Sequence, residues 1–203
     1  MPSGAIITAD IVNSTMLLPD QEKKLIRLLS LELKGYKFEF YRGDSFQVYI
    51  KDASLALKTV LKLRAIASSF SPLHDVRASI GIGEVKVPVR FLKTSTSDAF
   101  IISGRAFDEL LSGARLQIRS AKEDSNLALR VIGYFCDYIF KRFTPKQAAV
   151  VHQLLSGHTQ IEAARRLKIS QATLNKHAQS AGWAEIEKIL EEYRKSIMQF
   201  KLL

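Results

Sequence analysis

The chain has 203 residues, 47% of them hydrophobic and 25% charged, enough for two small domains that each bury a modest core. Its 30 Lys/Arg against 20 Asp/Glu give a net charge of +10, a bias that favours a polyanionic partner. One cysteine excludes an internal disulfide, and the lack of an 18-residue apolar run or a secretory leader pattern leads us to expect a cytoplasmic chain with no membrane partner.

Residues 4–11, GAIITADI, are almost continuously apolar, the pattern of a central strand buried on both faces. Pro19 and Asp20 open a helix to about Leu33, with Leu25, Ile26, Leu28, Leu29 and Leu33 as its apolar stripe and Gly35 as its stop. YKFEFY (36–41) and SFQVYI (45–50) flank Arg42, Gly43 and Asp44 and predict a hairpin. Asp52 caps a second helix to about Ser69, which Pro72 closes. VRASIGIG (76–83) is a strand, and EVKVPVR (84–90) an edge strand because Pro88 has no amide to donate. Its glycines, Gly81 and Gly83, make no dinucleotide fingerprint, since GIGEVK lacks the third glycine and leads into a strand. A polar loop, LKTSTSD, then precedes a helix from Ser97 to about Ser112 and a short strand, RLQIR (115–119). Residues 125–141 form a connecting helix, in which Cys136 is a core residue with no paired histidine to activate it. Strands alternating with helices around an antiparallel hairpin predict an α+β, ferredoxin-like sandwich rather than a Rossmann sheet.

The C-terminal third carries the sharpest signal. FTPKQAAVVHQLLSG places Thr144 as an N-cap and Pro145 at the first helical position. Then GHTQIEAARRLKISQATLNKHAQ (157–179) divides into two short helices around a tight turn. Ala163, Ala164 and Leu167 share an inward face of the first, Ile169 plugs the turn, and Ser170 caps the second through its hydroxyl. Leu174 and Ala178, four apart, face the core. The other face carries Gln171, Asn175, Lys176 and Gln179, amides suited to adenine edges and a lysine suited to guanine or phosphate. This layout predicts an all-α, tri-helical helix-turn-helix domain that binds double-stranded DNA through Ser170, Gln171, Asn175, Lys176 and Gln179. Lys168 stands where such turns usually carry glycine. From Lys141 onward there are 11 Lys/Arg against 5 Asp/Glu, whereas the first 140 residues hold 19 against 15, so the basic surplus is densest in the head. The alternative is a helical appendage that packs on its own protein or on a partner. The segment resembles the tri-helical heads of bacterial response regulators and sigma-factor region four.

The last stretch, WAEIEKILEEYRKSIMQF, repeats apolar residues at Trp183, Ile186, Ile189, Leu190, Tyr193 and Ile197, a stripe wider than a small head requires. We therefore expect a homodimer, with a lid folded over the head as the alternative.

Asp10 ends the first strand and Asp44 tips the hairpin, so the two can lie side by side and hold a hard divalent cation such as Mg²⁺ or Mn²⁺. The alternative is local: Asp10 as a cap for the amides of residues 13–15, and Asp44 as a turn residue beside Gly43. His74, His152, His158 and His177 lack the spacing of a zinc site. Around the two aspartates, TADIVNST, RGDSF and VRASIGIGEV resemble the class III nucleotide cyclase catalytic domain over most of residues 4–113. That resemblance implies Asp10, the carbonyl of Ile11 and Asp44 as metal ligands. It also implies that Asp108 and Ser112 replace the family's transition-state asparagine and arginine, and that Phe40 replaces its purine-selecting lysine. Such a domain keeps a cation or a phosphate-bearing small-molecule ligand without turning it over, and no catalytic residue or required cofactor is expected. With SGRAF and the C-terminal head, the chain resembles the bacterial SatD family along nearly its whole length.

The sequence thus leads us to expect a degenerate cyclase-like domain at 1–124, a connecting helix at 125–142, and a DNA-binding domain with its terminal helix at 143–203. The expected function is transcription regulation. An active or altered nucleotidyl cyclase and a non-catalytic scaffold are the rivals.

Overall fold

The computed structural model describes residues 3–41, 43–89, 91–92 and 95–201. Arg42 of the hairpin, Arg90 of the expected edge strand, and Lys93 and Thr94 of the polar loop lie outside the described residues.

Among the described residues the fold is mixed, with one five-stranded sheet and eight α-helices, consistent with an α+β class. Strands β1 (Ser3–Ile11), β2 (Lys37–Tyr41), β3 (Ser45–Ile50), β4 (Val76–Glu84) and β5 (Leu116–Ser120) lie in the order β2-β3-β1-β4-β5. All neighbours are antiparallel except the parallel pair β4 and β5. β1 is central, as its composition requires. Ala5, Ile7, Ala9 and Ile11 point into the main core, while Ile6 packs on the opposite face with Val85, Leu92, Ala99 and Phe100.

Helices α1 (Pro19–Glu32), α2 (Ala56–Phe70) and α4 (Asn126–Phe140) contribute to the core on one face of the sheet, and α3 (Asp98–Asp108) covers part of the other. α2 is buried nearly all round because α5 (Pro145–Leu155) packs on its outer side. A 3₁₀ turn precedes it, and Asp52 Oδ1 accepts the Ser54 amide at 3.3 Å, the expected cap. On the other face, Gly81 explains the GIG sequence. A Cβ there would lie 2.4 Å from the Ala99 carbonyl oxygen and from the Ser103 amide nitrogen, so only glycine lets α3 sit this close. Ser79 Oγ donates to the Ser103 carbonyl at 2.6 Å across the same contact.

Several boundaries differ from expectation. Residues 85–89 form no strand: β4 is already paired on both edges by β1 and β5, and Val85 instead folds over the sheet face with Ile6 and Leu92. α3 stops at Asp108, four residues early, because the chain turns at Leu111 to Ala114 around Gly113, whose φ is 82°. β5 begins at Leu116 rather than Arg115, whose backbone amide donates to Asp137 of α4.

The main core also takes in residues from beyond the first expected domain. Leu129, Cys136 and Phe140 of α4, Val151 and Leu155 of α5, and Ile186, Tyr193 and Ile197 of α8 (Trp183–Lys201) belong to the same cluster as the sheet. The Tyr193 hydroxyl, buried, donates to the Ala53 carbonyl at 2.9 Å. The apolar stripe of α8 is therefore spent within the chain, against α2, α4 and the turn before α2. Burial pushes the Cys136 thiol up to about 12, which keeps it protonated and inert.

A buried ion cluster joins these layers. Arg64 of α2 is fully buried and forks onto Asp75 at 3.0 and 2.7 Å, then donates to Asp137 of α4 at 2.7 Å. Burial opposes the charge, but Asp75 and Asp137 outweigh it and hold the guanidinium above the ordinary arginine range. The second Asp137 oxygen accepts the Arg115 amide at 2.7 Å.

Candidate nucleic-acid interface

The head is built on three helices: α5, α6 (Gln160–Leu167) and α7 (Gln171–Ser180). α5 starts as predicted. Thr144 Oγ1 accepts the Gln147 amide at 3.3 Å, Gln147 returns an acceptor to the Thr144 amide at 2.8 Å, and Pro145 occupies the first turn. Thr159 and Glu162 repeat the reciprocal cap at the start of α6. Val150 and Leu154 of α5, Ala163 and Ala164 of α6, and Leu174 and Ala178 of α7 form a small core of their own, with Leu167, Ile169 and Trp183 at its rim. Trp183 also touches the main core and so ties the two together.

The turn between α6 and α7 is closed by two backbone bonds, Lys168 to the Arg165 carbonyl at 3.2 Å and Ile169 to the Ala164 carbonyl at 3.1 Å. Lys168 adopts φ 54° and ψ 42°, the left-handed conformation that glycine takes without steric cost. Ser170 Oγ then accepts the Thr173 amide at 3.1 Å, so the expected cap is formed.

With Leu174 and Ala178 locked inward, α7 has one orientation left. Ser170, Gln171, Asn175, Lys176 and Gln179 are all exposed, and the last four, at positions one, five, six and nine of α7, make a single outward face that continues from the Ser170 cap. Among the described residues, no hydrogen bond or ion pair engages the side chains of Gln171, Asn175, Lys176 or Gln179. Residue-type reasoning alone passes over Arg165 and Arg166 of α6 and Lys168 of the turn, which are also exposed. Their signal is the run ARRLK itself: Ala164 and Leu167 fix the inward face, so the arginines between them must point out.

The acidic corner of the sheet is different. Asp10 and Asp44 do come together, since Asp10 pairs with Ser45 in the β1/β3 register and the Ile11 amide donates to the Asp44 carbonyl at 3.2 Å. Their side chains are already engaged. Arg77, opposite Asp10 on β4, donates from Nε and Nη2 to the two Asp10 carboxylate oxygens at 3.2 and 2.5 Å. Those hydrogen bonds hold the guanidinium above the ordinary arginine range, and it lies 4.8 Å from the Phe107 ring centroid. Asp44 accepts from Ser14 Oγ at 2.6 Å and from Ser45 Oγ at 3.2 Å. A cation already occupies the bidentate side of Asp10, so as arranged the donor set of Asp10, Ile11 and Asp44 does not fit a divalent metal. No group of three or more His, Cys, Asp or Glu that could hold one exists among the described residues. Asp108 ends α3 and Ser112 lies beyond it in the turn, both exposed, so Ser112 is off the helix on which it was expected.

No helix among the described residues is long and apolar enough to cross a membrane. Comparison of the chain with family models, curated proteins and solved structures gives no significant match.

Proposed function

We propose that the chain is a DNA-binding transcription regulator. In this reading α5, α6 and α7 form a tri-helical helix-turn-helix head, and α7 lies in the major groove. The observation that carries it is the α7 face: four polar side chains with no hydrogen-bond or ion-pair partner among the described residues, on a helix whose opposite face is fixed by Leu174 and Ala178. Asn175 and Gln179 supply amide pairs for adenine, Lys176 a donor for guanine or phosphate, and Ser170 and Gln171 reach the backbone at the helix start. Arg165, Arg166 and Lys168 bring positive charge to the flanking phosphates.

The sheet order β2-β3-β1-β4, with α1 and α2 as crossovers, is what a ferredoxin-like, cyclase-like unit would show, extended by β5. The Asp10–Arg77 pair supports a degenerate role for it, as a support or dimerisation unit rather than a catalyst. As a homodimer the protein would present two α7 helices to half-sites about one helical turn apart, ~34 Å. Selection of bound fragments from random duplex DNA by the full-length protein tests this reading. Recovery of a shared, two-fold related site is expected. Recovery of no enriched sequence, together with no duplex binding at low salt, overturns it.

A further inference from the structure

The α8 stripe is satisfied inside the chain, but α4 carries a second stripe that is not. Gly133, Cys136, Asp137 and Phe140 face inward, whereas Leu127, Val131, Tyr134, Phe135 and Tyr138 are each between 44 and 64% exposed. At spacings of four, seven, eight and eleven they form one continuous ridge. Taking ~200 Å² for each side chain, they expose about 550 Å², near the upper end of the largest patch on an ordinary monomer. With the 72% exposed Leu111 beside them the patch approaches the ~800 Å² that each partner contributes to a standard interface.

We propose that this face of α4 binds a second copy of the chain in an antiparallel, two-fold pair. The proposal locates the homodimer of the reading above and rests on that part of it, not on DNA recognition. Self-complementarity decides the occupant. A two-fold axis between residues 132 and 133 sets Leu127 against the partner copy's Tyr138 position and Val131 against its Tyr134 position. The same axis sets exposed Arg130 against the Phe135 position, a cation over a ring. It also brings exposed Glu123 and Asp124 at the start of α4 to the positions of exposed Lys141 and Arg142 at its end, and the helix dipoles oppose one another. Arg142 is pre-oriented for this role: it stacks on the Tyr138 ring at 4.0 Å and donates to its hydroxyl at 2.7 Å. A hollow between the 111–114 turn and Tyr134 and Tyr138 offers a seat for the incoming Leu127. A membrane-surface helix would instead carry basic residues along its flanks, and this one is acidic at one end.

Sedimentation equilibrium of the full-length protein at micromolar concentration, without DNA, tests the pair. The parent is expected at twice the chain mass. Val131→Glu with Tyr134→Glu, and separately Glu123→Lys with Asp124→Lys, should raise the dissociation constant at least tenfold while circular dichroism stays unchanged. Adding Lys141→Glu and Arg142→Glu to the second pair should restore the dimer, since the swapped charges complement each other again. A monomeric parent overturns both the interface and the homodimer. A parent and both variants that remain dimeric overturn the interface and leave the homodimer standing, and failure of the four-fold swap to restore a dissociated pair overturns the antiparallel register. Duplex binding, measured separately, reports on the DNA reading.

Discussion

Two polar regions of this protein differ in what they do with their side chains. At the end of the sheet, Asp10, Asp44, Arg77, Ser14 and Ser45 answer one another at hydrogen-bond distance, and Asp75 and Asp137 do the same around the fully buried Arg64. On α7, Gln171, Asn175, Lys176 and Gln179 have no such partners among the described residues. A polar group paired inside the fold has its hydrogen-bonding capacity spent on specifying that fold, while an unpaired exposed row on a rigid helix is free to meet a ligand. By that criterion the plain-looking helix, rather than the corner that resembles a catalytic site, is the surface we propose as functional.

The sharpest way to break this comparison is to remove an internal partner. Asp137→Ala leaves Arg64 with half its counter-charge and the Arg115 amide without an acceptor, so unfolding free energy should drop by about 3–5 kcal/mol. Denaturant melts check this, and the folded fraction should bind duplex DNA as the parent does. The converse experiment is Asn175→Ala with Lys176→Ala. Specific binding should weaken by roughly 2–5 kcal/mol, while stability stays within about 0.5 kcal/mol of the parent.

Smaller effects sharpen the boundary between the two regions. Glu32 of α1 accepts from Lys62 of α2 at 2.7 Å and meets His152 Nε2 of α5 at 3.1 Å. Burial alone would raise its carboxyl pKa, but His152 and Lys62 outweigh it and hold the group below the usual carboxylate range. Because the folded value is the lower one, its contribution is complete above the unfolded value of about 4.3 and is lost as pH falls through the folded value. Glu32→Gln should therefore cost about 1 kcal/mol at pH 7, with the difference from the parent closing in more acidic melts. The smallest change is Lys168→Gly. Relief of the left-handed backbone at φ 54° should stabilise the head by about 0.5–1 kcal/mol, visible as a higher melting temperature.

Much of the head was legible because its signals are local. Thr144 and Pro145, Ser170, and the four-residue interval from Leu174 to Ala178 each act within one or two turns of helix, so spacing alone fixes their roles. β1 was legible for a similar reason, since a central strand is apolar on both faces. What escaped is long-range. Nothing near Asp10 announces Arg77, 67 residues away, although VRASIGIG alternates Val76, Ala78, Ile80 and Ile82 with a second face that begins at Arg77. The segment after β4 has strand composition, yet both edges of β4 were already taken, a fact of topology rather than pattern. The stripe of α8 was visible in the sequence, but whether the fold would cover it depends on where α8 returns, against Ala53 and α2.

The central claim is the proposal that α7 reads DNA. Its most direct test is duplex binding by the full-length protein on a selected site, titrated from about 50 to 200 mM salt, beside the Asn175→Ala/Lys176→Ala variant. The expected result is parent affinity that falls steeply with salt, and a variant that retains weak, salt-dependent binding but no longer prefers the selected site over random duplex. Absence of duplex binding by the parent at the lowest salt, or equal site preference in parent and variant, would contradict the claim.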